Sequence, residues 1–427
     1  MKAIHNIAFL CGCFSVKENY PAITSVNSKW KKILKTKEEK SMMEKFYYPE
    51  FVDFCYQDEN SVQGTCIERY LFPMDTEIEV DLFGKKQHTV SIKDIELFVL
   101  PYNLLIYSIR VDQNEADLND ITAALSILRN ISDYKEELIQ SSWGKVLEPI
   151  VEIYKSLAMT APYASNEKFR YFNLMENGNK LKLFQIIEMD LTKVKEQDEL
   201  LFELGTLAPI NSYNSSSFSS PSQDYFNKIM EQNKVSVFNN WKGLSLFDTF
   251  TILSYHTQSY LLDNWINAYF GMIYIHSLFL KFYLFRMNIL FRKKQAKAAH
   301  LEKEFVRFER NYCFHKISYN FLPLEIYESL DTGLEINEEK SQLYHMIEQE
   351  KNMQEKENNS KINNLLFFLA CLTVFSTIWD FCCLFNQLYP YEESWGSVIL
   401  GHRMVASMVL FLLVVCIILI GRFNTKK

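Results

Sequence analysis

Turn-forming residues are scarce in this chain. Only 12 Gly and 10 Pro occur in 427 residues, which argues against a fold of many tight turns and for long regular elements, mostly helices. Paired thiols are missing as well. The nine cysteines are scattered without a CxxC pair, and four of them (Cys371, Cys382, Cys383, Cys416) fall in an apolar tail. Free thiols in a reducing compartment fit this better than a disulfide framework. Basic charge is not in excess: the net charge is −7, which gives no general affinity for nucleic acid, so no direct nucleic-acid binding is expected. There is no P-loop, no GxGxxG after a strand, no HExxH and no nucleophile elbow, and no enzyme is indicated. The eight histidines are dispersed. The densest group is Glu309, Cys313 and His315 near His300, at spacings that fit no ordinary zinc site.

What is present is apolar and aromatic. Hydrophobic residues make up 48% and aromatics 15%, ample for a buried core, and the length calls for two or three regions. Leu10-Cys11-Gly12-Cys13 has the look of a lipoprotein cleavage box. The apolar stretch before it is short and contains His5 and Asn6, so a first buried strand is the expectation. Asp94–Val111 reads as two alternating apolar runs around Pro101-Tyr102-Asn103, a hairpin signal. Leu118, Ile121, Leu125, Leu128 and Ile131 follow at helical spacing. Leu181–Met189 reads as a further strand, with a helix after it to about Leu207. The polar run Asn211–Ser222 is the clearest internal boundary, and from Asp224 onward the pattern reads as helical. The fold class is therefore an α+β domain, a mixed sheet with helices, followed by a helical region.

Two segments are long and apolar enough to cross a bilayer. Leu365–Phe385 carries a single charge, Asp380, and Met404–Ile420 carries none. The short loop between them holds Glu392 and Glu393 with Tyr389, Tyr391 and Trp395 at interfacial positions. Lys351, Lys356 and Lys361 precede the first span, and Arg422, Lys426 and Lys427 follow the second. The positive-inside rule then places both termini in the cytoplasm, in a multi-pass protein of the inner (cell) membrane. A third apolar segment, Ile266–Phe291, is interrupted by His276, Lys281 and Arg286. Such charges are costly in lipid, and a buried cytosolic helix is expected there.

From Leu334 to Tyr389 there is neither Gly nor Pro, so one helix of about 84 Å is expected, running into the first span. Asp331–Glu357 has eight acidic residues against three lysines. This acidic stalk could hold regulatory divalent ions such as Mg2+ between subunits, or be merely a solubilising surface. Ile336, Leu343, Met346, Ile347 and Met353 form a narrow seam suited to packing against copies of the chain. Steps of four and three from Asn359 reach Asn363, Leu366, Ala370, Thr373, Thr377, Asp380, Leu384 and Gln387, so the polar side chains of the span share one face. A pore lining is the favoured reading of that stripe, with hydrogen-bonded helix packing as the other. Elsewhere, Arg292, Lys293 and Lys294 could receive ligand phosphates, although such runs are usually solvated faces. Trp265, Tyr269, Phe270 and Tyr274 could stack on an adenine, although core packing is the better reading.

This layout resembles the CorA family of cation channels, most sharply from about Glu338 to Lys427. The resemblance implies a homopentamer in the lipid bilayer whose pore is formed by the first span. Its segments would be an α/β domain (1–222), a helical region (223–333), a stalk (334–364), the first span (365–385), an external loop (386–403), the second span (404–421) and a tail (422–427). Family members carry Gly-Met-Asn at the outer end of the first span. Here Leu384-Phe385-Asn386 stands in that place, leaving Asn386, with Glu392 and Glu393, as filter residues. With this altered filter and the overall layout, the chain resembles the divergent CorA-like proteins associated with type III CRISPR systems. That likeness implies an antiviral effector gated by a nucleotide second messenger, S-adenosylmethionine joined to AMP or a cyclic oligoadenylate. A constitutive channel for Mg2+, cobalt or nickel and a non-conducting membrane-anchored binding protein are the alternatives.

Overall fold

A computed structural model describes residues 1–57, 64–84, 86–131, 141–159, 171–176, 178–190, 197–213, 221–255, 259–293, 298–388 and 411. Packing divides the chain into two units, Met1–Tyr344 and His345–Lys427. The first is built on a nine-stranded sheet in the order β2-β3-β4-β5-β1-β6-β9-β8-β7. Its strands are β1 (His5–Ser15), β2 (Lys31–Ile33), β3 (Glu68–Asp81), β4 (Gln87–Leu100), β5 (Leu104–Asn114), β6 (Lys182–Met189), β7 (Lys234–Phe238), β8 (Trp241–Ser245) and β9 (Thr249–Tyr255). Neighbours run antiparallel except β6 and β9, which run parallel.

The N-terminal segment is a strand, as its apolar run requires. Every residue of β1 after His5 is buried, which suits a central position with both faces covered. Gly12 is needed there, because a Cβ would stand 2.7 Å from Cε1 of the buried Tyr107. The expected hairpin forms between β4 and β5. Tyr102 and Asn103 adopt left-handed φ values of 59° and 60° to turn the chain in three residues. A row of amides crosses the middle of the sheet: Gln185 donates to Asn6 at 2.9 Å, and Asn6 donates to Gln113 at 2.8 Å. Gln113 in turn meets His88 Nε2 at 2.9 Å.

Helices cover both faces. On one, Tyr154 of the helix Ser142–Leu157 packs on Phe14, and Thr249 donates to the Gly205 carbonyl of the helix Gln197–Thr206. The other face carries a continuous helical segment: α-helix Ser259–Asn264, π-helix Trp265–Tyr274 and α-helix Ile275–Arg292. Phe270 stacks on Phe9 at 3.8 Å, and Phe184 packs against Phe250, Phe270 and Tyr274. This is the third apolar segment of the sequence. Although long and apolar enough to cross a membrane, 94% of its apolar window is buried inside the protein.

The boundary expected at residue 222 does not divide the fold, and the region after it is not purely helical. β7, β8 and β9 join the sheet that starts at β1, with β9 lying directly on β6. Strands of five residues such as β7 and β8 are too short to show a clear period of two amid aromatic-rich sequence.

His276 sits at the centre of the second face among Phe51, Phe54, Phe314 and Tyr327. Its Nε2 meets the Tyr312 carbonyl at 2.9 Å. Burial lowers its pKa from 6.5 to about 4, against the raising effect of that hydrogen bond. The folded state therefore binds fewer protons than the unfolded state between those values. Stability should fall by about 3 kcal/mol on this account as pH drops from 6.5 to 4. Asp94 and Asp331, raised by burial to about 6, give the opposite slope in part of that range. The test is a comparison of denaturant midpoints across pH with His276→Phe, which should lack the acid-side loss. An identical pH profile in the variant would remove His276 as its source.

The helix Ile336–Leu388 is continuous over 53 residues, about 80 Å. It starts in the first unit and runs on through the second. The helix is described as far as Leu388, and the backbone of Asn386 is helical. The stretch Ile336–Asp380 is long and apolar enough to cross a membrane, and none of its apolar window is buried. Leu365 is 60% exposed and Phe368 is also 60% exposed, the condition of a surface meant for lipid or for other protein. The seam expected for self-packing is partly consumed by the chain itself, because Ile336 and Leu343 are buried in the first unit while Met353 stays exposed. The second span, Met404–Ile420, lies outside the described residues except Phe411, whose ring meets Phe375 at 4.7 Å.

Candidate functional site

On the long helix, Asn359, Asn363, Thr373, Thr377, Asp380 and Leu384 are all exposed. The unbroken helix keeps their spacing and so their common face. The Thr373 hydroxyl donates to the Ala370 carbonyl at 2.8 Å and the Thr377 hydroxyl to the Thr373 carbonyl at 2.5 Å. With the hydroxyl hydrogens occupied by backbone, what these threonines turn outward is oxygen lone pairs. Asn386 and Gln387 lie within the helix by backbone; Glu392 and Glu393 lie outside the described residues.

The weaker ligand candidates separate. Arg292 ends its helix and Lys293 follows it, both exposed; Lys294 lies outside the described residues. Trp265 is 1% exposed and Tyr269 4%, with Trp265 packed on Trp241. Their rings belong to the core and have no free face for an adenine. Glu309 pairs with Lys340 at 2.5 Å, and burial pushes the Cys313 thiol up to about 11. Among the described residues no three His, Cys, Asp or Glu side chains gather as a metal site.

A different cluster emerges at the end of the sheet where β6 and β9 begin. A cavity of about 210 Å3 is bounded by Glu176, Lys180, Lys182, Phe247, Asp248 and Lys281, with Phe282 and Phe285 beside them. Lys182, first residue of β6, donates to Asp248 at 2.7 Å and to the Phe247 carbonyl at 2.8 Å. Arg129 reaches the same carboxylate at 3.2 Å. Burial alone would raise the Asp248 pKa, but Lys182, Arg129 and Lys180 together hold it below the usual carboxylate range. The Lys182 and Lys281 ammoniums lie 3.8 Å and 4.6 Å from the centre of the Phe247 ring. Lys281 also pairs with Glu339 at 3.1 Å, and Asn288 donates to the other Glu339 oxygen at 2.5 Å.

The sequence did carry a signal for this cluster. Lys281 and Arg286 interrupt an apolar helix, and Lys182 starts a buried strand. Charges in such places need partners, but single-chain spacing does not say which ones. Comparison with protein families, curated proteins and solved structures finds no match for the chain.

Proposed function

We propose that the chain is one subunit of a CorA-like homo-oligomeric pore in the cell membrane, a pentamer by that likeness, and that it acts as an antiviral effector. A nucleotide second messenger of the CRISPR-associated kind would open it from the cytoplasmic side. One observation carries the reading. A single uninterrupted helix changes from a charged first half to an apolar, unburied second half, and keeps a polar stripe along one face. A polar stripe in lipid is stable only against water or protein, and copies arranged around an axis supply both.

The test is ion flux from liposomes containing the full chain, with and without S-adenosylmethionine–AMP and cyclic oligoadenylates. Flux only with a nucleotide is expected. Thr377→Leu and Asp380→Leu should each lower it by about tenfold or more by narrowing and drying the pore. Unchanged flux in both variants would refute the lining. Divalent-cation flux indifferent to nucleotides would mark a constitutive channel, and no flux under any condition would mark an anchored binding protein.

A further inference from the structure

Around the 210 Å3 cavity, cations outnumber carboxylates. Arg129, Lys180 and Lys182 surround Asp248 alone. Lys281 has Glu339, and Arg286 approaches Ser15, whose hydroxyl donates to Glu176 at 2.8 Å. On the cavity wall itself three lysines, Lys180, Lys182 and Lys281, face two carboxylates, Glu176 and Asp248, with Arg129 behind Asp248. The Lys182 and Lys281 side chains are only 6% and 4% exposed, so water does little to screen them. A surplus of enclosed positive charge at a cavity is complementary to a compact anion, with lysines as phosphate ligands. Phe247 adds a second requirement. Its side chain is 45% exposed at the cavity, an aromatic surface against which a ring can stack. The volume lies below the roughly 300–1,000 Å3 of drug-sized pockets, which favours a small phosphate ester.

Lys281 gives the pocket a connection. The same ammonium lies by Phe247 and pairs with Glu339, which stands in the first turn of the long helix. A phosphate beside Phe247 would compete with Glu339 for it.

We infer that this pocket binds a small phosphate ester that carries an aromatic ring, and that the bound phosphate loosens the first turn of the long helix by drawing Lys281 from Glu339. The inference rests on the proposed pore only for its purpose as a gate. Binding and loosening are read on the purified full chain in detergent, where no flux is measured. An occupied pocket in a non-conducting protein would overturn the pore alone; nucleotide-gated flux with an empty pocket would overturn the pocket alone.

The probes are AMP and inorganic pyrophosphate in equilibrium dialysis. Phe247→Ala and Lys180→Glu alter exposed side chains and should keep the fold, checked by near-UV circular dichroism. Phe247→Ala should weaken AMP by about tenfold and leave pyrophosphate nearly unchanged, since only AMP stacks. Lys180→Glu should weaken both by about tenfold. AMP should also speed hydrogen exchange at residues 336–344. No AMP binding at millimolar concentration, or binding indifferent to both substitutions, overturns the site. Binding that leaves exchange at 336–344 unchanged overturns the link to the helix.

Discussion

Gly333→Ala is expected to destabilise the first unit by about 3 kcal/mol or more, seen as a lower thermal midpoint and poorer recovery of folded protein. Gly333 ends the helix Phe321–Gly333, which lies on the sheet at Ser245. A Cβ at position 333 would stand 2.7 Å from the carbonyl carbon of Ser245, and as close to its Cβ. Ser245 is the last residue of β8 and is fully buried, so the strand has nowhere to retreat. Adding Ser245→Gly to the same chain removes the side-chain clash but not the backbone one, and should recover only part of the loss. Full stability in Gly333→Ala would mean that helix and strand are not packed this closely.

The second large effect belongs to the ion pair of Lys281 and Glu339, whose side chains are 4% and 16% exposed. Lys281→Met should destabilise by about 3–5 kcal/mol, because it leaves the Glu339 carboxylate enclosed with Asn288 alone. Glu339→Gln strands the ammonium in the same way. The double variant should be far less damaged than the sum of the two, since no lone charge remains and the glutamine oxygen still accepts from Asn288. Denaturant midpoints of the four proteins give the coupling directly. Two losses that simply add would show that the charges do not depend on each other.

Much of the fold was legible from local pattern. The unbroken apolar run of β1, the hairpin at Pro101-Tyr102-Asn103 and the face formed by Leu118, Ile121, Leu125 and Leu128 are all encoded by neighbouring residues, while Ile131, read on the same face, lies past the helix's end at Leu128. The interrupted apolar segment was likewise readable as a buried helix, because His276 and Lys281 need partners that lipid does not offer. What was not legible depends on distant residues. β9 becomes a sheet strand by lying parallel to β6, more than sixty residues earlier, and that pairing drew β7 and β8 into the same sheet. The cation pocket has the same character: Arg129, Lys182, Asp248 and Lys281 come from four separate stretches of chain. The exposed stripe from Asn359 to Leu384 was visible because one helix carries all of it.

The place of β1 in the sheet has a consequence for biosynthesis. Of the nine strands of the sheet this one is synthesised first, yet its two neighbours are β5 and β6, which begin at residues 104 and 182. At about 5–20 residues per second, roughly 10–40 s separate the appearance of the strand from the arrival of its second partner. Through that interval an eleven-residue run, HNIAFLCGCFS, keeps at least one open hydrogen-bonding edge. Rapid overproduction should therefore send the nascent chain into inclusion bodies through this strand.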